Sequence, residues 1–215
     1  MIGIGALLML LVMLNCGRYY NIPFWKQIIL TILLVITGLV GTKILAFIEA
    51  GNWNGRSFFG AVLFTPLLMI FVSVALRVNI ISTLDLCAPC ECIMLASMKV
   101  GCILNDCCIG RILYVTEFGK QIRFPSQIIE CVNALALAVL LIVLIKRGKH
   151  SGIIYLIYMI IYGGSRFVLN LLRETVPFIW ILPAGNFWSL VSILIGIGLM
   201  VYHNKSISNS SKNRI

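Results

Sequence analysis

Apolar residues in this chain run in long unbroken blocks instead of alternating with polar ones. The blocks cover residues 2–16, 28–48, 58–76, 78–98, 131–145, 152–172 and 187–202. A helix rises about 1.5 Å per residue, so some 20 apolar residues match a hydrocarbon core of about 30 Å. The two-residue alternation of a lipid-facing barrel strand is missing, and a continuous apolar run satisfies its own backbone only as a helix. The pattern predicts an all-α, polytopic membrane protein with about seven transmembrane helices. No Lys or Arg precedes Arg18, and Asn15 stands directly before Cys16. The first block therefore reads as a retained helix, not as a cleaved signal or a lipoprotein signal.

Composition agrees with the pattern. Of 215 residues 60% are hydrophobic and 11% charged, against about a quarter charged in a soluble domain. A net charge of +10 would suggest nucleic acid in a soluble protein, but here the cations punctuate the apolar blocks. Topology explains them, and no nucleic-acid partner is expected. Seven spans place Arg18, Lys26, Arg77, Lys146, Arg147, Lys149, Lys205, Lys212 and Arg214 on one side. That side is the cytoplasm by the positive-inside rule, which puts the N-terminus outside and the C-terminus inside. Residues 1–204 read as a single transmembrane domain and 205–215 as a short basic cytoplasmic tail. Segments 52–57, 99–130 and 173–185 fall on the outer side.

Ionisable residues within spans cost a few kcal/mol each on insertion scales, so they are functional candidates by default. Tyr162, Arg166, Asn170 and Arg173 recur at helical spacing and share a face. A guanidinium suits bidentate binding of phosphate or carboxylate, so this face reads as an anion site near the outer leaflet. Arg173 and Glu174 also fit a helix end snorkelling to the interface; Arg166 lies about two turns deeper. A second region runs from Asp85 through Pro89 and Glu91 to Lys99, Asn105, Asp106, Gly110 and Arg111. It crowds both signs of charge, backbone breakers and six cysteines into one membrane-edge segment. Irregular backbone at such depth lines a wet cavity or is buried in protein. A third, Arg123-Phe-Pro125-Ser126-Gln127-Ile-Ile-Glu130, reads by itself as a capped, solvated helix start.

Cys87, Cys90, Cys92, Cys102, Cys107 and Cys108 admit three readings: packing as small hydrophobes, a disulfide among the last three, or a metal site. The first three fall within a helix, and inert packing is the expectation, with no metal. Cys–His catalysis is unsupported, because His150 and His203 both fall on the cytoplasmic side.

Taken together, these segments resemble the prolipoprotein diacylglyceryl transferase family of bacterial inner-membrane enzymes, in the family's order from Gly41 to Glu174. Gly41-Thr-Lys-Ile-Leu is similar to its Gly-Ala-Arg element, Ser57-Phe-Phe59-Gly60-Ala61 to Ser-Phe-His-Gly-Gly, and Asp85 to Pro89 to Asp-x-x-Ala-Pro. Gly101 to Gly110 resembles the signature loop in its Gly-Cys-Cys-Tyr-Gly style. Phe124 to Glu130 resembles His-Pro-Ser-Gln-Leu-Tyr-Glu, and Tyr162 to Arg173 resembles Tyr-Gly-x-x-Arg-x-x-x-Glu-x-x-Arg.

The resemblance implies transfer of the diacylglyceryl group of phosphatidylglycerol to the lipobox cysteine thiol of a prolipoprotein signal peptide, with release of glycerol phosphate. It further implies seven spans, no cofactor, and a cavity open to membrane lipid near the outer leaflet of the bacterial cytoplasmic membrane. Arg166 matches the family's essential arginine, and Lys99 stands where a second arginine is usual, both for the phosphate. Asp85 matches an acidic position suited to orienting Lys99 or Arg111. Tyr162, Asn105 and Gly110 match cavity-lining positions, Gln127 and Glu130 the outer motif, and Arg173 the end of the helix motif.

The sequence also departs from the family. Phe59 and Phe124 replace histidines, Cys102 an asparagine, Cys107 a glutamate and Asn170 a helix glutamate. Loss of a histidine base slows such a reaction, by about 10²- to 10⁴-fold where general-base help is lost, without forbidding it. The rival readings are a non-catalytic member that binds lipid phosphate or precursor, and a cysteine-based metal or redox membrane protein.

Overall fold

A computed structural model describes residues 1–51, 53, 55, 57–108, 110–116, 121–148, 152–173, 177–179 and 182–212. They contain seven helices: α1 (Ile2–Gly17), α2 (Phe24–Ala50), α3 (Phe59–Ala75), α4 (Ile80–Leu104), α5 (Ser126–Arg147), α6 (Ile154–Leu171) and α7 (Ala184–Lys212). Six are long and apolar enough to cross a bilayer, α1 when taken together with the 3-10 turn that extends it to Tyr20, and the 17-residue α3 is the one that falls short. Large apolar side chains such as Phe71, Val132, Val139 and Leu194 point outward, away from the bundle. In water that surface would aggregate; against lipid it is the expected exterior of a polytopic membrane protein.

Helix α4 forms the centre. Its span is 67% buried, more than any other, and it packs against α1, α3, α5 and α6. Small side chains permit this: Cys87, Ala88, Cys90 and Cys92 are fully enclosed, and association within a bilayer relies on such close backbone approach. Asn79 starts the helix by accepting a hydrogen bond from the Ser82 amide at 3.1 Å. The helix then passes straight through Pro89 to Leu104, and neighbouring helices cover the gap that Pro leaves. The crowded 85–111 segment is therefore not one irregular patch. Asp85 and Lys99 lie about 21 Å apart along a single helix axis, fourteen residues at about 1.5 Å each.

Tight crossings appear where two of the motifs meet. A Cβ on Gly60 would lie 2.0 Å from the Gly41 carbonyl oxygen, so α2 and α3 touch backbone to backbone. Antiparallel alternation gathers the starts of α1, α3, α5 and α7 and the ends of α2, α4 and α6 at one end of the bundle. That end carries two small antiparallel hairpins, β1 (Ile112–Val115) with β2 (Gln121–Arg123), and β3 (Pro177–Ile179) with β4 (Leu182–Pro183). The hydrophobic blocks give no sign of either. Gly110 bridges to Arg173 and links the two connections. Helical backbone continues to Lys212, beyond the boundary read at residue 205.

Candidate functional site

Glu130 sits in the first turns of α5 and is 3% exposed, so this helix start is not solvated as the sequence alone suggested. Three cations converge on it, one each from α4, α6 and the connection that follows α6. Lys99 of α4 approaches Oε2 at 2.5 Å, Arg166 of α6 pairs with the same oxygen, and Arg173 reaches Oε1 at 3.4 Å. Lys99 is itself buried. Isolated charges do not persist at such sites, and a shared carboxylate is what makes three cations tolerable together. One carboxylate against three cations leaves a positive surplus.

That surplus faces a cavity of about 570 Å³ lined by Lys43, Lys99, Arg166 and Arg173, with Asn105, Cys102, Cys107 and Cys108 on one wall. Lys43 was not singled out as a site residue from the sequence. Its position inside the Gly41-Thr42-Lys43 motif was the available signal, and its Nζ donates to the Trp53 carbonyl at 2.5 Å. Asn105 ends α4, its side chain donating to the Gly101 carbonyl at 2.7 Å.

Tyr162 lies below the cations, 2% exposed, its ring against Phe58, Phe59 and Tyr158. Phe59 thus occupies a place beside Tyr162 with no group able to move a proton. Among the described residues the Tyr162 hydroxyl has no hydrogen-bond partner, and it borders a space of about 10 Å³ shared with Glu130, Asn133, Ser165 and Arg166. A polar gap of that size holds about one water.

The polar residues read from the sequence as one helical face do not all point one way, and Arg173 lies just beyond the end of α6. Each four-residue step advances about 40° round a helix, so Asn170 stands about 80° from Tyr162. It packs on the start of α7, where a Cβ on Gly185 would lie 2.2 Å from its side-chain nitrogen. Asn170 therefore joins α6 to α7 and does not line the cavity.

Gly110, Arg111 and Gln127 shape the site's roof. A Cβ at Gly110 would meet the Phe124 carbonyl oxygen at 2.3 Å, so only glycine lets the two ends of the α4–α5 connection approach this closely. Arg111 acts through its backbone: its amide donates to Leu172 and its carbonyl accepts from Phe124, while its side chain is exposed. Gln127 donates to the Cys107 carbonyl at 2.8 Å, and Ser126 to the Cys108 carbonyl at 2.9 Å. The sulfurs of Cys102, Cys107 and Cys108 lie within 4.8 Å of one another. Burial raises the Cys108 thiol, but the Lys99 and Arg173 charges and hydrogen bonds with Cys102 and Cys107 carry it below the ordinary thiol value.

Asp85 is placed apart from all of this. Its carboxylate accepts from the amides of Gly152, Ile154 and Tyr155 at 2.6, 3.1 and 3.4 Å, and from the Tyr20 hydroxyl at 3.2 Å. It caps the N-terminus of α6 at the opposite end of the bundle and touches neither Lys99 nor Arg111. His203 lies beside Gly152 at that same end. Lys149, His150 and Glu174, also weighed from the sequence, lie outside the described residues.

Fold and site together define a polytopic membrane protein with a cation-lined cavity at one end of its bundle. A family model described as prolipoprotein diacylglyceryl transferase matches residues 1–202, and the chain belongs to that family. It is 28% identical over 230 residues to the phosphatidylglycerol–prolipoprotein diacylglyceryl transferase 2 of Clostridium perfringens, across 94% of this chain and 88% of the relative. A phosphatidylglycerol–prolipoprotein diacylglyceryl transferase of Dehalococcoides mccartyi is 22% identical over 218 residues, across 91% of this chain and 84% of the relative.

Proposed function

We propose that this chain transfers the diacylglyceryl group of phosphatidylglycerol to the lipobox cysteine of prolipoproteins. The observation that carries the reading is the gathering of Lys99, Arg166 and Arg173 on the single buried carboxylate of Glu130 beside a cavity. In the reaction the glyceryl carbon–oxygen bond breaks and the phosphodiester becomes a monoester, which gains negative charge. Fixed cations aimed at that phosphate stabilise the charge as it develops more than they stabilise the starting lipid. Arg166 and Lys99 hold the phosphate, Lys43 and Arg173 extend the basic wall, and Asn105 offers a polar contact. Tyr162 supports Arg166 from below. Glu130 and Gln127 act as positioning residues, the first for the cations and the second for the cysteine loop.

Seven spans follow if the 17-residue α3 crosses too, and 17 residues is the lower bound for a crossing. Arg18, Lys26, Arg77, Lys146, Arg147 and Lys205 stand at the bundle end opposite the cavity, which favours a cytoplasmic C-terminus, an outer N-terminus and a cavity at the outer leaflet of the cytoplasmic membrane. One transmembrane domain followed by a basic tail is the corresponding organisation. The test in cells is complementation. A strain depleted of its own transferase should process lipoproteins and grow when this chain is supplied, and fail with Arg166→Ala. Failure of the unaltered chain, shown to be inserted and folded, would overturn the reading.

A further inference from the structure

Cys102, Cys107 and Cys108 form a cluster that the phosphate site does not use. Their sulfurs all lie within 4.8 Å of one another, with Cys102 to Cys108 at 4.0 Å. Tetrahedral zinc–thiolate bonds of about 2.3 Å put neighbouring sulfurs about 3.8 Å apart, so small side-chain rotations complete three corners of such a site. The loop that presents them is held independently of any metal. The Cys107 amide donates to the Cys102 carbonyl at 3.1 Å, and Gln127 and Ser126 fix the next two carbonyls. Asp106 and Cys108 take left-handed backbone, with φ of 46° and 60°, a conformation that non-glycine residues keep where the surroundings impose it.

We propose that these three thiolates bind one zinc ion whose fourth position opens into the phosphate cavity and takes the thiol of the incoming substrate. A disulfide would use two sulfurs, whereas three converge here. All three residues line the cavity, and three protein ligands with one open position is the arrangement of zinc sites that perform chemistry. Three thiolates around a divalent cation carry one net negative charge, which the surplus of Lys43, Lys99, Arg166 and Arg173 accommodates. The site supplies what Phe59 and Phe124 cannot, because a thiol bound to zinc loses its proton outright. In balance, the substrate sulfur releases its proton to water and forms a bond to the glyceryl carbon. The carbon–oxygen bond breaks with its electron pair going to the phosphate oxygen, and thioether and glycerol phosphate leave. This inference rests on the transferase reading above.

Cobalt(II) is the probe. Full-length protein purified in detergent without oxygen, its thiols counted as reduced, is stripped of metal and titrated with Co²⁺. One ion per chain is expected, with an intense thiolate-to-cobalt absorption and tetrahedral visible bands that change on adding a lipobox peptide and not its Cys→Ser version. Cys107→Ser should weaken binding by at least about 10-fold, and stripping zinc should slow transfer by about 10²-fold, reversibly, on the scale of lost proton-transfer catalysis. Fully reduced protein that binds no stoichiometric cobalt, a spectrum indifferent to the peptide thiol, or a Cys102–Cys108 disulfide in protein trapped from cells would each overturn the proposal. Transfer at full rate without metal would overturn it and leave the transferase reading standing. Metal and peptide binding with no transfer would overturn the reading beneath it.

Discussion

Two buried carboxylates mark the two ends of this bundle, and their partners differ in kind. Asp85 is 1% exposed and Glu130 3%, so both need compensation. Asp85 obtains it from three backbone amides and a tyrosine hydroxyl, neutral donors fixed in place that add no cation, and the cavity of about 480 Å³ it borders is otherwise lined almost entirely by apolar and aromatic side chains. Glu130 obtains it from three long cationic side chains, which exceed its charge and border an open cavity. The first arrangement ties α6 to α4. The second stores positive charge where an anion can reach it, and only that arrangement has chemistry to offer.

The largest effect expected from breaking this contrast is at Arg166. Arg166→Ala should lower the transfer rate by about 10²- to 10³-fold, the scale of losing one aimed charge-stabilising donor, with the protein still folded. Steady-state transfer to a lipobox peptide measures it. Glu130→Gln should follow, chiefly as destabilisation of about 3–5 kcal/mol, because three cations then repel one another without an anion. Thermal unfolding in detergent reads this, and added phosphate should recover part of the loss for Glu130→Gln while changing the unaltered protein less. Asp85→Ala should cost about 1–3 kcal/mol of stability, since it orphans the amides at the start of α6. The transfer rate per folded molecule should stay within about twofold if Asp85 is purely structural. The smallest effect is expected for Lys99→Arg, which adds a planar fork and should lower the KM for phosphatidylglycerol a few-fold, about 1 kcal/mol.

The seven helices were legible because apolar blocks of this length have one solution in lipid. Their ends were not. Helix α4 continues past Met98 because Lys99 is buried against Glu130 instead of meeting water, and α5 begins at Ser126 rather than 131 for the same reason. Arg166 stood out as a charge too deep to snorkel. Glu130 stood out only through the family resemblance, since by itself a carboxylate near a proline reads as a solvated helix start, and its three cationic partners come from elsewhere in the chain. Asp85 misled because proximity in sequence to Lys99 becomes about 21 Å along a helix. Asn170 shared a helical face on paper and turned to α7 through accumulated angle. Gly110 and Arg111 work through backbone, which side-chain chemistry cannot announce.

The central claim is that the cation cluster on Glu130 serves diacylglyceryl transfer. The direct measurement is to incubate the purified protein in detergent with phosphatidylglycerol and a lipobox peptide and to follow the peptide by mass spectrometry, with Arg166→Ala alongside. The account predicts a diacylglyceryl adduct on the peptide cysteine that disappears with Arg166→Ala. No adduct from folded, phosphatidylglycerol-binding protein, or an adduct formed equally well by the variant, would contradict it.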